Sequence, residues 1–363
     1  MKCTVYTSDH FAHFSQQWDQ LNQQTVKQAI LDADFILSLI RHFFSGQEKL
    51  LVVEQAGQVH FIGFLQRCGV GRWQSVMPSQ APLGLWLVAK QHVDEALLQC
   101  IARALPGPVL QIDLLQADSR GLVVAPSVYQ QFYIETGNRP VPAQFDDFAK
   151  TIGKNLRQNC NKAYNRAERD NDTLAARVVD SVSDIAEGVL CYGQIESQSW
   201  KAKEGTALSP DNLQGRFYQQ MMTTLAQRGA ACVWYFVVSG QVAAVDLCVK
   251  KEANLIILKT TFDEQYSRYS PALLLKLEML KYYAAHPEQG VQNIEFYGKA
   301  MDWHKRLNSE LRPIVHLSWQ RTRWLQWLVR KLWAVSGWLA PPPCAWRVEC
   351  PHAASRPRAA PRR

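Results

Sequence analysis

Apolar and polar positions along the chain switch repeatedly between a period near 3.6 and a period of two. Phe11, Phe14, Trp18 and Leu21 recur at helical intervals, and a second helical pattern covers Val26–Phe44 through Ile30, Phe35, Ile36, Leu39, Ile40 and Phe43. Cys3–Tyr6 predicts a short strand ahead of them. Leu50–Glu54 and Val59–Leu65, joined at Ala56-Gly57, predict a β-hairpin. Val93–Leu105 predicts a helix stopped by Pro106-Gly107-Pro108, with strands over Val109–Leu114 and Gln130–Glu135. Around Asn138–Pro142 the chain turns polar and Pro-bearing, which places a domain boundary at 142/143.

The second half begins with a helical pattern over Phe145–Arg169, apolar at 145, 148, 149, 152, 156, 160, 163 and 167. Helices follow over Asp180–Gln198, where Ser181 stands three residues before Asp184 as in a capping box, and over Asn212–Arg228. Ala231–Val238, Val242–Lys250 and Leu255–Phe262 read as three antiparallel strands. Pro271–Ala285 reads as a helix with Pro in its first turn, and Asn293–Tyr297 and Val315–Trp319 as the last strands. These patterns predict an α+β fold in which helices flank a mixed, mainly antiparallel sheet. Both halves run helices, hairpin, helix, strand, so a duplicated fold is expected.

Composition narrows the class of partner. The 363 residues are 47% hydrophobic and 20% charged, which excludes a disordered or fibrous chain. The net charge of +8 lies wholly after residue 319, where nine Arg and Lys face a single acid, Glu349. Residues 1–319 are neutral, which argues against nucleic acid as a partner. The nine cysteines show no C-x-x-C pair and no zinc-ligand spacing, so no metal is expected and a reducing, cytoplasmic setting is. No apolar run predicts a signal peptide or a membrane span.

Four stretches carry a family resemblance. They are Glu196-Ser197-Gln198-Ser199-Trp200-Lys201; Val237-Val238-Ser239-Gly240-Gln241-Val242; Lys259-Thr260-Thr261-Phe262-Asp263-Glu264-Gln265-Tyr266 leading to Ser270-Pro271-Ala272; and Phe296-Tyr297-Gly298-Lys299 with Trp303-His304-Lys305 behind. In this order they resemble the GNAT acetyltransferase superfamily, in its exopolysaccharide and cellulose-operon (CelD-like) branch, which is related to the FemABX aminoacyltransferases. The resemblance implies tandem GNAT-like halves, 1–142 and 143–319, with acetyl-CoA as co-substrate. Where the family usually has Gly after Ser-Pro, this chain has Ala272.

The candidate chemistry follows from the residues and from that resemblance. A strand–loop–helix ending at Pro271 offers free N–H groups and a dipole end to a diphosphate, with Arg268 as charge partner and Ser270, Pro271 and Ala272 at the helix start. The resemblance implies that main chain around Lys259, Thr260 and Thr261 serves the thioester oxyanion. Glu196 is the candidate base, and Tyr266 and Tyr269 are candidate acids. Lys154 and Arg157, on a basic stripe of the 145–169 helix, are expected to hold a phosphate-bearing acceptor. Trp200, Lys201, Asp263, Lys299, His304 and Lys305 complete the candidate acceptor site. Residues 320–340 predict an amphipathic, Trp-rich helix lying on a membrane surface, and 341–363 a disordered basic tail. The expected function is acyl transfer from CoA to an amine of a cell-surface glycan or nucleotide-sugar precursor. Its rivals are a FemABX-type transferase using aminoacyl-tRNA and a non-catalytic, membrane-associated assembly factor for a polysaccharide.

Overall fold

The computed structural model describes residues 1–198 and 207–322. Trp200, Lys201 and most of the expected surface helix and tail therefore lie outside the described residues.

Strands alternate with helices as the pattern predicts. The first half contains β1 (Lys2–Thr7), β2 (Lys49–Gln55), β3 (Gln58–Gly69), β4 (Arg72–Ser75), β5 (Trp86–Val88), β6 (His92–Val93), β7 (Gln111–Asp118), β8 (Val123–Val124) and β9 (Tyr129–Pro140). The second contains β10 (Leu174–Val179), β11 (Ala231–Val238), β12 (Gln241–Lys251), β13 (Asn254–Phe262), β14 (Asn293–Glu295) and β15 (Glu310–Gln320). Thirteen of these form one sheet in the order β1-β2-β3-β4-β7-β15-β9-β14-β13-β12-β11-β10, with β5 on β3.

The expected duplication is visible in that order. In each half an antiparallel run of four strands (β1-β2-β3-β4 and β10-β11-β12-β13) ends on a parallel fifth, β7 beside β4 and β14 beside β13. Among the described residues each half puts two α-helices between its first and second strands: Ser15–Gln24 and Ala33–Phe43, then Val182–Ser197 and Leu213–Ala226. Each puts one helix before the parallel strand, Glu95–Ala104 and Pro271–Ala285. The hairpin turns match as well. Ala56-Gly57 (φ +51°, +78°) and Ser239-Gly240 (φ +48°, +83°) both carry two positive φ angles, the geometry that fits strand twist in a two-residue turn.

The halves then exchange their closing strands. β15, at the end of the second half, lies antiparallel to β7 of the first, while β9 of the first lies antiparallel to β14 of the second. β9 and β15 also pair with each other, so the sheet has no seam at residue 142, and Met1–Arg321 is one compact unit. Arg312 of β15 ties the exchange. Its guanidinium donates to Asp118 at 2.8 and 2.9 Å, to Glu295 at 2.8 Å and to Asn138 at 3.0 Å. Arg120 adds a second bond to Glu295.

Where the observed elements depart from the expected ones, the causes are local. The helix expected over 145–169 is two, Phe145–Thr151 and Lys154–Arg169, because Ile152 is extended and Gly153 begins a new helix, its carbonyl accepting from Leu156 and Arg157. β10 and the short β4, β5, β6 and β8 were not expected. Among the described residues no helix is long and apolar enough to cross a membrane.

Arg312→Met should lower stability by up to about 3–5 kcal/mol, since it leaves Asp118 and Glu295 buried with only the half-exposed Arg120 to offset them. Thermal or urea unfolding reads this. At Asp118, burial works against ionisation, but Arg312 and then Arg120 outweigh it and hold the carboxyl below its ordinary range. The stabilisation is therefore present at neutral pH and lost on acidification through that depressed value, and the variant should lack that loss.

Candidate active site

β13 and β14 pair only from Asn254 to Ile256 and from Asn293 to Glu295. Beyond these residues the two strands part, and a cleft of about 620 Å³ opens between them. Ile257, Leu258 and Lys259 line one side, Phe296, Tyr297 and Gly298 the other, and Glu196 and Tyr218 stand at the helical end. The β12–β13 register shifts between Leu247 paired with Lys259 and Cys248 paired with Ile257, so Leu258 is an extra, bulged residue inside the cleft. A bulge leaves main-chain groups outside the ladder, and Leu258 lines the cavity.

Glu196 reaches this cleft because of helical spacing. On the helix Val182–Ser197 the buried positions are Ile185, Gly188, Val189, Tyr192, Gly193 and Glu196, one continuous stripe. Its carboxylate is wholly buried, accepting from the Tyr192 hydroxyl at 3.0 Å and from the Leu208 N–H at 2.9 Å. The Tyr192 hydroxyl is also 3.2 Å from the carbonyl of Thr260. Burial, and then the nearby Glu196 charge, push the Tyr192 and Tyr218 hydroxyls above the ordinary tyrosine range, so both remain protonated. Tyr218 comes from the buried stripe of Leu213–Ala226, and the Lys259 ammonium lies 5.5 Å from its ring centre. Beneath the strand, Lys276 bonds Asp246, and the Thr260 hydroxyl donates to Asp246 at 2.6 Å. This buried pair fixes the helix Pro271–Ala285 against β12 and β13.

The candidates from sequence divide on this map. Glu196 and Lys259 line the cleft, and Lys299 follows it directly after Gly298. Thr260 and Thr261 continue β13; the Thr260 hydroxyl is engaged with Asp246, and Thr261 is buried. The candidate acids are misplaced. Tyr269 is wholly buried away from the cleft, its hydroxyl bonded to Asp170 at 2.9 Å and Asp172 at 2.6 Å, and Tyr266 packs half-buried in the same apolar cluster. Arg268 also faces Asp170 and Asp172, at 3.6 and 3.4 Å, so its charge is already offset. Ser270, in a left-handed conformation (φ +51°), precedes the helix that Pro271 and Ala272 begin. Asp263 caps the preceding turn by accepting from the Gln265 N–H.

The basic stripe does not meet the cleft. Along β11, Val233 and Tyr235 face the core shared with Val182–Ser197 and Leu213–Ala226, while Cys232, Trp234 and Phe236 face the core that includes Lys154–Arg169. Lys154 and Arg157 are thus exposed on the other side of the sheet, and Arg166 donates to the Arg268 carbonyl at 2.8 Å. Lys305 is exposed and lines no part of the cleft. His304 is structural. It is 3% exposed, its Nδ1 accepts from the Met301 N–H at 2.8 Å, its ring stacks on Trp303, and burial depresses it to about 4.

Sequence reasoning missed Tyr218, Tyr192 and the Asp246–Lys276 pair. For Tyr192 the signal was its i, i+4 spacing to Glu196. For the pair it was a charge inside each of two apolar runs, Asp246 in Val242–Cys248 and Lys276 in Leu273–Leu277. Among the described residues no cluster of His, Cys, Asp or Glu is arranged to hold a metal ion.

Residues 154–305 match the family model described as the acetyltransferase (GNAT) domain. No curated protein matches the chain. The solved structure of FemX is similar, with a TM-score of 0.55 and 12% identity, over 91% of this chain and 100% of FemX. So is a conserved protein of unknown function from Bacteroides thetaiotaomicron, with a TM-score of 0.56 and 10% identity, over 88% of this chain and 100% of that one. At these identities the likeness concerns the fold, and it extends across both halves. Residues 154–305 carry a GNAT-type domain, and the order of strands and helices in that half is repeated in the first.

Stability should fall as the pH drops from 6.5 towards about 4. His304 and His316 are both held by burial near 4, against 6.5 for an exposed imidazole, so the unfolded chain takes up their protons first. Each contributes at most about 3 kcal/mol to the loss. Urea midpoints across this range check it, and His304→Gln should show the shallower dependence.

Proposed function

We propose that the protein is an acyltransferase that takes an acyl group, acetyl foremost, from a CoA thioester and passes it to an amine of a glycan or nucleotide-sugar precursor. The observation that carries this reading is the parting of β13 from β14 over a cleft that holds a buried carboxylate bonded to the Tyr192 hydroxyl and the Leu208 N–H. A thioester arm entering between the parted strands would bring its carbonyl to the bulge at Leu258. Main-chain N–H groups freed there, with the protonated Tyr218 hydroxyl, would stabilise the oxyanion as the amine nitrogen attacks. Glu196 takes the proton from the attacking amine, the C–S bond breaks, and sulfur leaves with the electron pair as a thiolate. Tyr192 and the Leu208 N–H hold the carboxylate in place for this, a positioning role.

The diphosphate of CoA would meet the start of the helix Pro271–Ala285. Arg268 adds little there, because Asp170 and Asp172 already oppose its charge.

Calorimetry with acetyl-CoA should give one site per chain. A folded protein that shows no binding overturns the proposal. Glu196→Gln should lower kcat about 100-fold while the Kd for acetyl-CoA stays within about twofold. Arg268→Ala should also leave that Kd within about twofold.

A further inference from the structure

By the internal symmetry, the first half should have its own parting, between β4 and β7. Those strands pair from Arg72 to Gln74 and from Gln111 to Asp113, and then separate as β13 and β14 do. The gap is filled, however. Val76, Ala81, Leu83 and Leu85 are buried in the core, the Leu115 N–H donates to Ser75 Oγ at 2.8 Å, and the Gly84 N–H donates to the Gln116 carbonyl at 3.1 Å. A Cβ on Gly84 would stand 2.1 Å from the Leu115 carbonyl oxygen, so the segment is pressed against β7. About 30 Å³ remains beside it, room for a water molecule and no thioester arm.

The same segment faces the other cleft. Met77 to Pro82, with Gln116, Tyr133 and Ile134, form the wall of the 620 Å³ cavity opposite β13. This wall carries no charged side chain. Gln80 lies in it, only 8% exposed, and its Oε1 is buried with no hydrogen-bond partner among the described residues. Leaving such an oxygen unpaired is costly, a cost that a ligand donor would remove. Behind it, Gln116 is held in a left-handed conformation (φ +47°) and donates its N–H to His316 Nδ1 at 2.9 Å. The His316 ring packs 4.6 Å from that of Tyr133. The wall is therefore built rigidly, and it is braced by the exchanged strand β15.

We infer that the first half has given up a donor site of its own and become the acceptor wall of the second, with Gln80 receiving a hydrogen bond from a hydroxyl of a sugar-like acceptor beside its amine. This deepens the acyl-transfer reading and rests on it. A neutral hydroxyl suits the wall, which offers an acceptor oxygen at Gln80 and no cation of its own, Lys259 standing on the opposite side.

The test compares glucosamine with cyclohexylamine, an amine of similar size without hydroxyls. Binding is measured by calorimetry without donor, and turnover by thiol release from acetyl-CoA. Glucosamine should bind more tightly, and Gln80→Met should weaken its binding about tenfold while leaving cyclohexylamine and acetyl-CoA binding unchanged. Unchanged acetyl-CoA binding shows that the variant is folded, and Gln80→Asn, which keeps the amide, should recover part of the loss. Turnover of both amines with no effect of Gln80→Met overturns the acceptor wall and leaves acyl transfer standing. Glucosamine binding that is weakened by Gln80→Met, with no turnover, keeps the wall and overturns the acyl-transfer reading. Two acetyl-CoA sites per chain would overturn the loss of the first donor site.

Discussion

The candidate cleft depends on where β14 stops following β13. After Glu295, hydrogen bonds draw the chain to β9 instead: the Phe296 N–H donates to the Gly137 carbonyl at 3.1 Å and the Ala300 N–H to the Glu135 carbonyl at 2.7 Å. Between them Tyr297 turns left-handed (φ +48°), with its hydroxyl 3.2 Å from Asp118 and Arg312 over its ring. Each bond is worth only about 1 kcal/mol net, but together they decide which neighbour the strand follows. β9 belongs to the first half, so the opening in the second half is made by a borrowed strand.

That dependence explains why charge is buried at the crossover. Burying Arg312 with Asp118 and Glu295 costs desolvation that roughly cancels the attraction, so the gain in stability over an apolar core is small. What the group supplies is a unique register. Asp118 sits on β7, Glu295 on β14, Asn138 on β9 and Arg312 on β15, and only one sliding of the four strands satisfies all their bonds. The Asp246–Lys276–Thr260 group does the same locally, setting the helix Pro271–Ala285 against the strand that leads into the cleft.

Most elements could be read from the sequence, because each carries its own periodicity. The antiparallel run β11–β13 and the helix Pro271–Ala285 agree with expectation to within a residue at each end. The strand exchange could not be read, since β9 and β15 look the same whichever sheet they join. Glu196 was found by motif, and its place on a buried stripe agrees with helical spacing. Gln80 and Gln116 carry no local signal, because their importance arises only when one half's loop meets the other half's strands. The basic stripe shows the reverse error. Lys154 and Arg157 have the composition of a phosphate site, yet the face of the sheet on which their helix packs keeps them from the cleft.

The titration of the tyrosines constrains the chemistry further. An acid that protonates a leaving thiolate works best with a pKa near the working pH. Burial and the Glu196 charge move Tyr218 the other way, and Tyr269 and Tyr266 lie outside the cleft. A phenol held protonated can still donate a hydrogen bond, and that is the property needed where negative charge develops on the thioester oxygen. Tyr218 and the main chain at the Leu258 bulge both line the cleft, so the arrangement favours electrostatic stabilisation fixed in advance over proton delivery. Glu196 is then the carboxylate in the cleft that can take a proton, and the Tyr192 hydroxyl and the Leu208 N–H keep it aimed while an amine approaches.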